Sequence, residues 1–208
     1  MQPPDSAAFS IKSQTECNTT LAAVLYGSCA WWSERPVKPL PGVLVAAEPA
    51  QTVPEQMPML EKSGYAIKSL ARYEIRARVL SKERYRWDRG ADLVPVDVAV
   101  GWGAMSDTAV LNQLDISQGG RWYQWRSQTF PIPREEITRL SANMHLIAAD
   151  KLVAKQISRV RNGQVVKLKG YLVEARRADG FTWTSSLSRT DSGSGACELM
   201  WVSDVEIE

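Results

Sequence analysis

The stretch Ala71-Arg72-Tyr73-Glu74-Ile75-Arg76-Ala77-Arg78-Val79 decides the fold, because apolar and charged side chains alternate along it. Successive side chains of a β-strand point to opposite faces of the sheet, so this alternation predicts a half-buried strand. A second alternation places Val94, Val96, Val98 and Val100 on one face, directly before Gly101-Trp102-Gly103. Strands therefore dominate the predicted fold.

Further strands and a few short helices follow from the same kind of reading. Strands are predicted at 121–126, 165–173, 181–184 and 197–202, with Asp179-Gly180 as a hairpin turn before the third of these. Helices are predicted from Ser106 or Asp107 to Leu114, over 134–140 and over 150–160, where Asp150 caps the start and Asn162-Gly163 follows the end. We predict a mainly β fold with short helices, a small closed β-barrel that is OB-like, preceded by an N-terminal helix and a proline-rich tether.

Proline divides the chain. Six of the eleven prolines lie at 36–58, and proline fixes φ and lacks a backbone donor, so 36–59 is predicted to be an extended linker. Before it, the uncharged run 17–33 ends in a tryptophan pair and predicts a single-pass membrane anchor within an N-terminal segment, 1–35. A buried helix and a cleaved or lipidated leader are alternatives. The barrel domain is predicted over 60–208.

Composition excludes several protein classes. The chain has 208 residues, 44% of them hydrophobic, with 25 Lys and Arg against 23 Asp and Glu. These values are typical of a globular domain and exclude a disordered chain or a polytopic membrane protein. Three cysteines are too few for a disulfide scaffold, and a net charge of +2 gives no global field that would attract nucleic acid.

Several segments resemble a group of proteobacterial single-anchor proteins of unknown function. They are GWGAMSD at 101–107, ISQGGRWYQWR at 116–126, SANMHLIAAD at 141–150, the segment 170–202, and short pieces of the linker at 41–44 and 49–51. The resemblance implies an N-terminal anchor and one outer domain. It implies no activity, ligand or catalytic residue.

His145 is the only histidine and the first candidate for catalysis. A triad needs a nucleophile within hydrogen-bond reach of the base and a third group that orients the base. Ser141, Cys197 or Ser186 could be the nucleophile, with Asp150 or Asp191 as the orienting carboxylate, yet none of these serines has a nucleophile-elbow pattern. The alternative is a structural, hydrogen-bonded histidine at the edge of the core, since Leu146 and Ile147 follow it.

The remaining chemistry is sparse. Cys197 has no cation nearby in the sequence to lower the pKa of its thiol, so a buried structural role is its alternative to catalysis. No Cys-x-x-Cys pair and no Asp-x-Asp-x-Asp loop gives ligand spacing for Zn²⁺ or Ca²⁺. We predict no metal and no cofactor.

A basic stretch with interleaved aromatic rings is the best candidate for binding. Between positions 72 and 89 there are seven basic residues against three acidic ones. On an OB-like barrel such a face could follow a phosphate backbone while bases stack on rings. The alternative is a solvated strand face. The predicted binding residues are Arg72, Arg76, Arg78, Arg84, Arg86, Trp87, Trp102, Lys167, Lys169 and Tyr171.

We predict a membrane-tethered binding or scaffolding domain of the bacterial cell envelope, at the inner membrane with its domain in the periplasm. Its partners would be the membrane, through the anchor, and a protein or envelope polymer. One alternative function is a hydrolase-like enzyme that uses His145 with Ser141 or Cys197. The other is a nucleic-acid-binding barrel that uses the basic stretch at 72–89.

Overall fold

Strands make up most of the regular structure in residues 35–191, 193 and 195–208, which are those that the computed structural model describes. The strands are β1 (Ala50–Thr52), β2 (Met59–Lys62), β3 (Tyr65–Arg84), β4 (Val96–Gly101), β5 (Asp115–Gly119), β6 (Trp122–Arg126), β7 (Ser141–Ala148), β8 (Val165–Arg177), β9 (Thr182–Thr184) and β10 (Glu198–Ile207). The helices are a 3₁₀ turn (Gly103–Ser106), α1 (Thr108–Leu111), α2 (Arg134–Arg139) and α3 (Lys151–Arg159). The prediction of a mainly β fold with short helices is confirmed.

Five strands pair in a circuit that returns to its starting strand. β3 pairs with β4, β4 with β7, β7 with β10, β10 with β8, and β8 again with β3. The β7–β10 pair is parallel and the other four are antiparallel. β1 and β2 add to β3, β9 adds to β8, and β5 and β6 form a separate two-stranded sheet. This circuit brings the loops β3–β4 and β9–β10 close to the β5–β6 hairpin.

The long strand β3 makes the circuit possible. It pairs with β8 along Tyr65–Arg78 and then with β4 along Arg78–Arg84. The register shifts between Ser69 and Ala71 and again between Val79 and Ser81. Such β-bulges bend a strand and increase its twist, so one strand can leave one partner and join the next.

The proline-rich segment 36–59 lies against the strands. Val45 is fully buried, and Val37 donates a backbone hydrogen bond of 2.8 Å to the carbonyl of Asn162. Ala50–Thr52 pairs antiparallel with β3 as β1. Pro36–Glu208 accordingly form one compact unit. The segment therefore contributes an edge strand and core contacts to the body.

Two apolar clusters fill the body. The larger one includes Tyr73, Ile75 and Trp102, and the smaller one includes Ile67, Ile147 and Leu199. Neighbouring residues of β7 and β10 divide between the two clusters, so both faces of these strands are covered. A strand that is buried on both faces has no polar side to show in its sequence.

The helices follow the sequence signals in one case and depart from them in another. In α3 the Asp150 side chain accepts hydrogen bonds from two backbone N–H groups of the first turn, and Gly163 after the helix has φ +87°, as predicted. The predicted helix from Ser106 or Asp107 to Leu114 is shorter, because a 3₁₀ turn occupies Gly103–Ser106 and α1 ends at Leu111.

Within residues 35–208, so far as the structure describes them, no helix combines the length and hydrophobicity that crossing a membrane requires. The prediction of a transmembrane helix is therefore wrong for this part of the chain. The anchor was predicted at 17–33, which lies outside the described residues.

Candidate functional site

An open cleft of about 510 Å³ lies where the loops meet on one side of the strand circuit. Its walls come from five separate parts of the chain: the β3–β4 loop, the tip of the β5–β6 hairpin, β7, the segment around β9 and the segment before β10. Its lining residues are Asp88, Arg89, Gly90, Arg121, Trp122, His145, Phe181, Thr182, Trp183, Thr184, Gly193, Gly195 and Cys197.

Arg121 attaches the hairpin tip to the rest of the site. Its Nη1 donates to Asp97 Oδ1 at 2.8 Å, and its Nη2 donates to Asp88 Oδ1 and to the Val94 carbonyl, both at 2.9 Å. The guanidinium also lies over the ring of Tyr85, 3.7 Å from the ring centroid. Charge-assisted hydrogen bonds of this kind are the strong ones, and an arginine fork suits two acceptors at once.

The backbone around Arg121 is held as firmly as its side chain. Its N–H donates to the hydroxyl of Tyr85 at 3.0 Å, and its carbonyl accepts from Asn143 Nδ2 at 3.0 Å. Its φ is +71°, a conformation that side chains other than glycine adopt rarely. The surrounding contacts therefore stabilise a left-handed backbone conformation that is unfavourable for arginine.

A buried pair of titratable groups lies behind Arg121. Asp97 is fully buried, and His145 is 2% exposed on the neighbouring strand, where the two residues are register partners. His145 Nδ1 lies 2.9 Å from Asp97 Oδ1 without making a hydrogen bond, and Asp97 Oδ2 has no hydrogen-bond partner among the described residues.

Trp183 packs against both Arg121 and His145 in the lining of the cleft. Its ring centroid is 4.7 Å from that of His145, and the Arg121 guanidinium lies over the ring, 5.3 Å from the centroid. A Cβ placed on Gly90 would come within 2.6 Å of the Trp183 ring, so only glycine lets the β3–β4 loop lie against this indole. The position of the wall thus depends on a residue without a side chain.

Cys197 lies between the cleft and a second, smaller cavity of about 170 Å³. Its sulfur accepts from Asn143 Nδ2 at 3.5 Å, and Gln118 Nε2 donates to Asn143 Oδ1 at 2.7 Å. Burial raises the pKa of the Cys197 thiol. A neutral thiol is a weak nucleophile, because the thiolate is the reactive form.

Glu198, directly after Cys197, is a buried carboxyl group at the start of β10. Burial raises its pKa to about 8, and the nearby carboxylate of Asp191 acts in the same direction, whereas Arg189 opposes it. Within the part of the chain that the structure describes, its Oε2 has no hydrogen-bond partner. The phenol of Tyr73 is also buried, and burial followed by the charge of Glu198 raises its pKa.

The structure brings His145 and Cys197 to one cleft but does not assemble the predicted triads. Among the described residues, no hydrogen bond joins His145 to a serine or a cysteine. Ser141 Oγ donates to the carbonyl of Ile137 at 2.6 Å, and Ser141 lines the smaller cavity. Ser186 Oγ donates to Asp191 at 2.6 Å, and the Asp150 carboxylate caps α3.

Most of the predicted basic stretch at 72–89 is engaged within the domain. Arg76 pairs with Glu208, Arg78 is buried and donates to Thr108 Oγ1 at 2.7 Å, and Arg84 donates to the Ser158 carbonyl at 2.8 Å. Arg72 and Arg86 are exposed. Arg72, Arg76 and Arg78 share the charged face of β3, Arg84 follows its second bulge, and Arg86 lies in the loop after it. None of these five side chains lines the cleft.

The other predicted binding residues are also dispersed. Trp102 is 1% exposed and belongs to the larger core cluster. Lys167 pairs with Glu74 at 2.9 Å, Lys169 is exposed, and Tyr171 packs against the smaller cluster. Trp87, at 94% exposure, projects from the β3–β4 loop but does not line the cleft.

Sequence reasoning missed Asp97 altogether, and it placed Arg121 in a predicted strand but not among the predicted binding residues. Asp97 left a signal, because it is the only charged residue within Val94-Pro-Val-Asp-Val-Ala-Val and lies on the face opposite the four valines. A carboxylate on a fully buried strand needs a partner. The sequence signal for Arg121 is weaker: it is the first residue of a predicted strand and directly follows Gly119-Gly120.

No protein-family model, curated protein or solved structure shows significant similarity to the chain. The resemblance to proteobacterial single-anchor proteins therefore stays a prediction. In the part of the chain that the structure describes, no three His, Cys, Asp or Glu side chains are grouped so that they could hold a metal ion.

Proposed function

We propose that the chain is a binding domain, built on an OB-like barrel, and that its ligand occupies the cleft lined by Arg121 and Trp183. The proposal retains the binding role expected from the sequence but moves it from the basic stretch to the cleft. An envelope location is supported by the sequence resemblance alone and is a prediction.

The strand circuit supports the OB-like barrel. A five-stranded Greek-key barrel of this kind has a helix between its third and fourth strands, and α3 lies between β7 and β8, the third and fourth members of the circuit in chain order. The long, bulged β3 would be the strand that closes such a barrel.

The single observation that carries the proposal is the buried polar network behind an apolar opening. Arg121 is hydrogen-bonded to Asp97, and His145 lies 2.9 Å from the same carboxylate. Phe181, Trp183 and Trp122 line the cleft beside them. Ligand sites are typically apolar clefts with a few fixed polar groups, and volumes of roughly 300–1,000 Å³ are usual. Burying the Asp97 carboxylate and the His145 imidazole beside a cleft is costly for stability, and a site that must orient a ligand explains the cost.

Fluorine NMR of the full chain labelled with 5-fluorotryptophan tests the proposal. The eight tryptophan signals are assigned by Trp→Phe substitutions, and uncharged ring-containing fragments are then added. We expect fragments to shift the signals of Trp183 and Trp122. Trp87 is the internal control, because it is 94% exposed and lies outside the cleft. Shifts confined to Trp87, or no shift with any fragment, would contradict a binding cleft.

A thiol-dependent hydrolase is the second candidate, favoured by the 2.9 Å approach of Asp97 to His145 in the cleft that contains Cys197. Its chemistry would require the thiolate of Cys197, which burial disfavours. Iodoacetamide labelling of the native chain, mapped by peptide mass spectrometry, tests it. Rapid labelling of Cys197 at neutral pH, lost in His145→Ala, would support the hydrolase; slow labelling that is the same in both proteins would oppose it.

A further inference from the structure

The cleft and the smaller cavity adjoin along the tip of the β5–β6 hairpin. Trp122, Gly193 and Cys197 line both of them, so a ligand can extend from one to the other over these residues. We propose that the two cavities form one groove for a linear, uncharged oligosaccharide, with successive sugar rings on either side of Trp122. This inference rests on the proposed function and specifies its ligand.

The sizes of the cavities fit a chain of ring-sized units. A cavity of roughly 150 Å³ holds a single benzene-sized ring. The smaller cavity, at about 170 Å³, therefore suits one ring, and the cleft, at about 510 Å³, has room for more than one. A compact ligand would fill the cleft alone and leave the smaller cavity without a role.

Aromatic rings continue through both cavities. Trp183 and Phe181 line the cleft, Tyr123 and Trp125 line the smaller cavity, and Trp122 lies between them. An indole or phenyl ring covers apolar area at low entropic cost, and the flat C–H face of a sugar offers such area. A row of rings suits a ligand that repeats the same flat face.

The charges oppose a phosphate backbone. Nucleic-acid affinity comes mainly from Lys and Arg side chains that neutralise phosphates. Both arginines of the cleft already face carboxylates: Arg121 lies between Asp97 and Asp88, and Arg89 donates to Asp179 at 3.1 Å. An uncharged ligand avoids competition with these pairs.

Hydrogen-bonding groups lie beside the rings. Asp88 and Thr182 line the cleft, and Asp191 lines the smaller cavity. Carboxylate oxygens accept from hydroxyl groups, and a threonine hydroxyl can donate or accept. Sugar hydroxyls project from the edge of a ring whose face is stacked, so they would meet such groups.

Titration of the full chain with sugar series of increasing length tests the inference. The probes are N-acetylglucosamine oligomers and β-1,4-linked glucose oligomers of one to six units. Tryptophan fluorescence and calorimetry measure their binding. In at least one series we expect a tenfold or greater fall in Kd between one unit and three, and a Kd that is unchanged between low and high salt. Thymidine oligonucleotides of equal length serve as the charged comparison.

Substitution at the junction gives the decisive control. Trp122→Ala, at a side chain that is partly exposed, should bring the Kd of the three-unit sugar to within about twofold of the single unit, whereas Trp87→Ala should leave both unchanged. The inference is overturned if neither sugar series binds or if affinity does not increase with sugar length. It is also overturned if the Trp122→Ala variant still shows that increase, or if the oligonucleotides bind more tightly than the sugars and with a Kd that depends on salt. Fragment shifts at Trp183 without sugar binding would overturn this inference alone and leave the binding cleft standing.

Discussion

The basic stretch at 72–89 and the cleft around Arg121 use arginine in opposite ways. The stretch is dense in sequence, and most of its arginines meet separate partners within the domain, such as Glu208 for Arg76 and the end of α3 for Arg84. The cleft draws single residues from distant positions, and one arginine there serves two carboxylates and two rings. A run of charges thus indicates a solvated strand, whereas an isolated charge among apolar residues indicates a site.

The largest expected effect tests this difference directly. Arg121→Ala removes the partner of Asp97, which is fully buried, and should lower the free energy of unfolding by roughly 3–5 kcal/mol. Arg76→Ala is the matched control: the Arg76–Glu208 pair is about 40% exposed on both sides, so its loss should cost about 1 kcal/mol or less. Urea denaturation measures both.

The double variant Arg121→Ala/Asp97→Asn sharpens the same test. If the cost comes from an unpaired buried charge, neutralising Asp97 should recover part of the lost stability, because the two residues then couple in a double-mutant cycle. Equal losses for Arg121→Ala and Arg76→Ala would contradict the distinction between cleft and stretch.

A pH effect of intermediate size separates Glu198 beside the cleft from Glu208 beside the stretch. Burial raises the pKa of Glu198 to about 8 in the folded state, above its ordinary value of 4.5. The folded state therefore binds more protons between those pH values, and stability that is complete below pH 4.5 is lost as the pH rises through 8, by up to about 1.4 kcal/mol per pH unit.

Glu198→Gln should remove this fall, and unfolding curves at a series of pH values between 5 and 9 measure it. Glu208 behaves in the opposite sense, because its hydrogen bond with Arg76 lowers its pKa, so its small contribution is lost as the pH falls. Glu208→Gln should leave the fall between pH 5 and 8 in place. An unchanged pH profile in Glu198→Gln would show that another group is responsible.

The smallest expected effect concerns the backbone. Gly90→Ala would place a Cβ within 2.6 Å of the Trp183 ring and should cost roughly 1–3 kcal/mol, since a packed ring must move. Gly119→Ala is the control, because nothing lies within 4 Å of the added carbon. Thermal unfolding compares the two, and the fluorine signal of Trp183 should shift only in Gly90→Ala. A similar change in both variants would mean that the cleft wall is not set by this contact.

The confirmed parts of the fold could be predicted because their signals are local. Alternation along 71–79 indicates a strand with one polar face. Asp150 indicates the start of α3, because its side chain accepts hydrogen bonds from the N–H groups of the first turn. Strand β7 was not predicted, because both faces of Ser141–Ala148 are buried. Its sequence therefore does not alternate between apolar and polar residues and cannot be told from a buried helix or loop by period.

The sequence by itself determined the strand-rich class, the capped start of α3 and the presence of a single histidine. Tertiary structure alone decided that this imidazole faces Asp97, that Arg121 reaches the same carboxylate and that Trp183 covers them. The reason is physical. Hydrogen-bond caps and side-chain alternation act over a few residues of chain. The site depends instead on side-chain contacts that join positions 24 to 54 residues apart, and the register of the strand pairings places side chains such as Asp97 and His145 side by side.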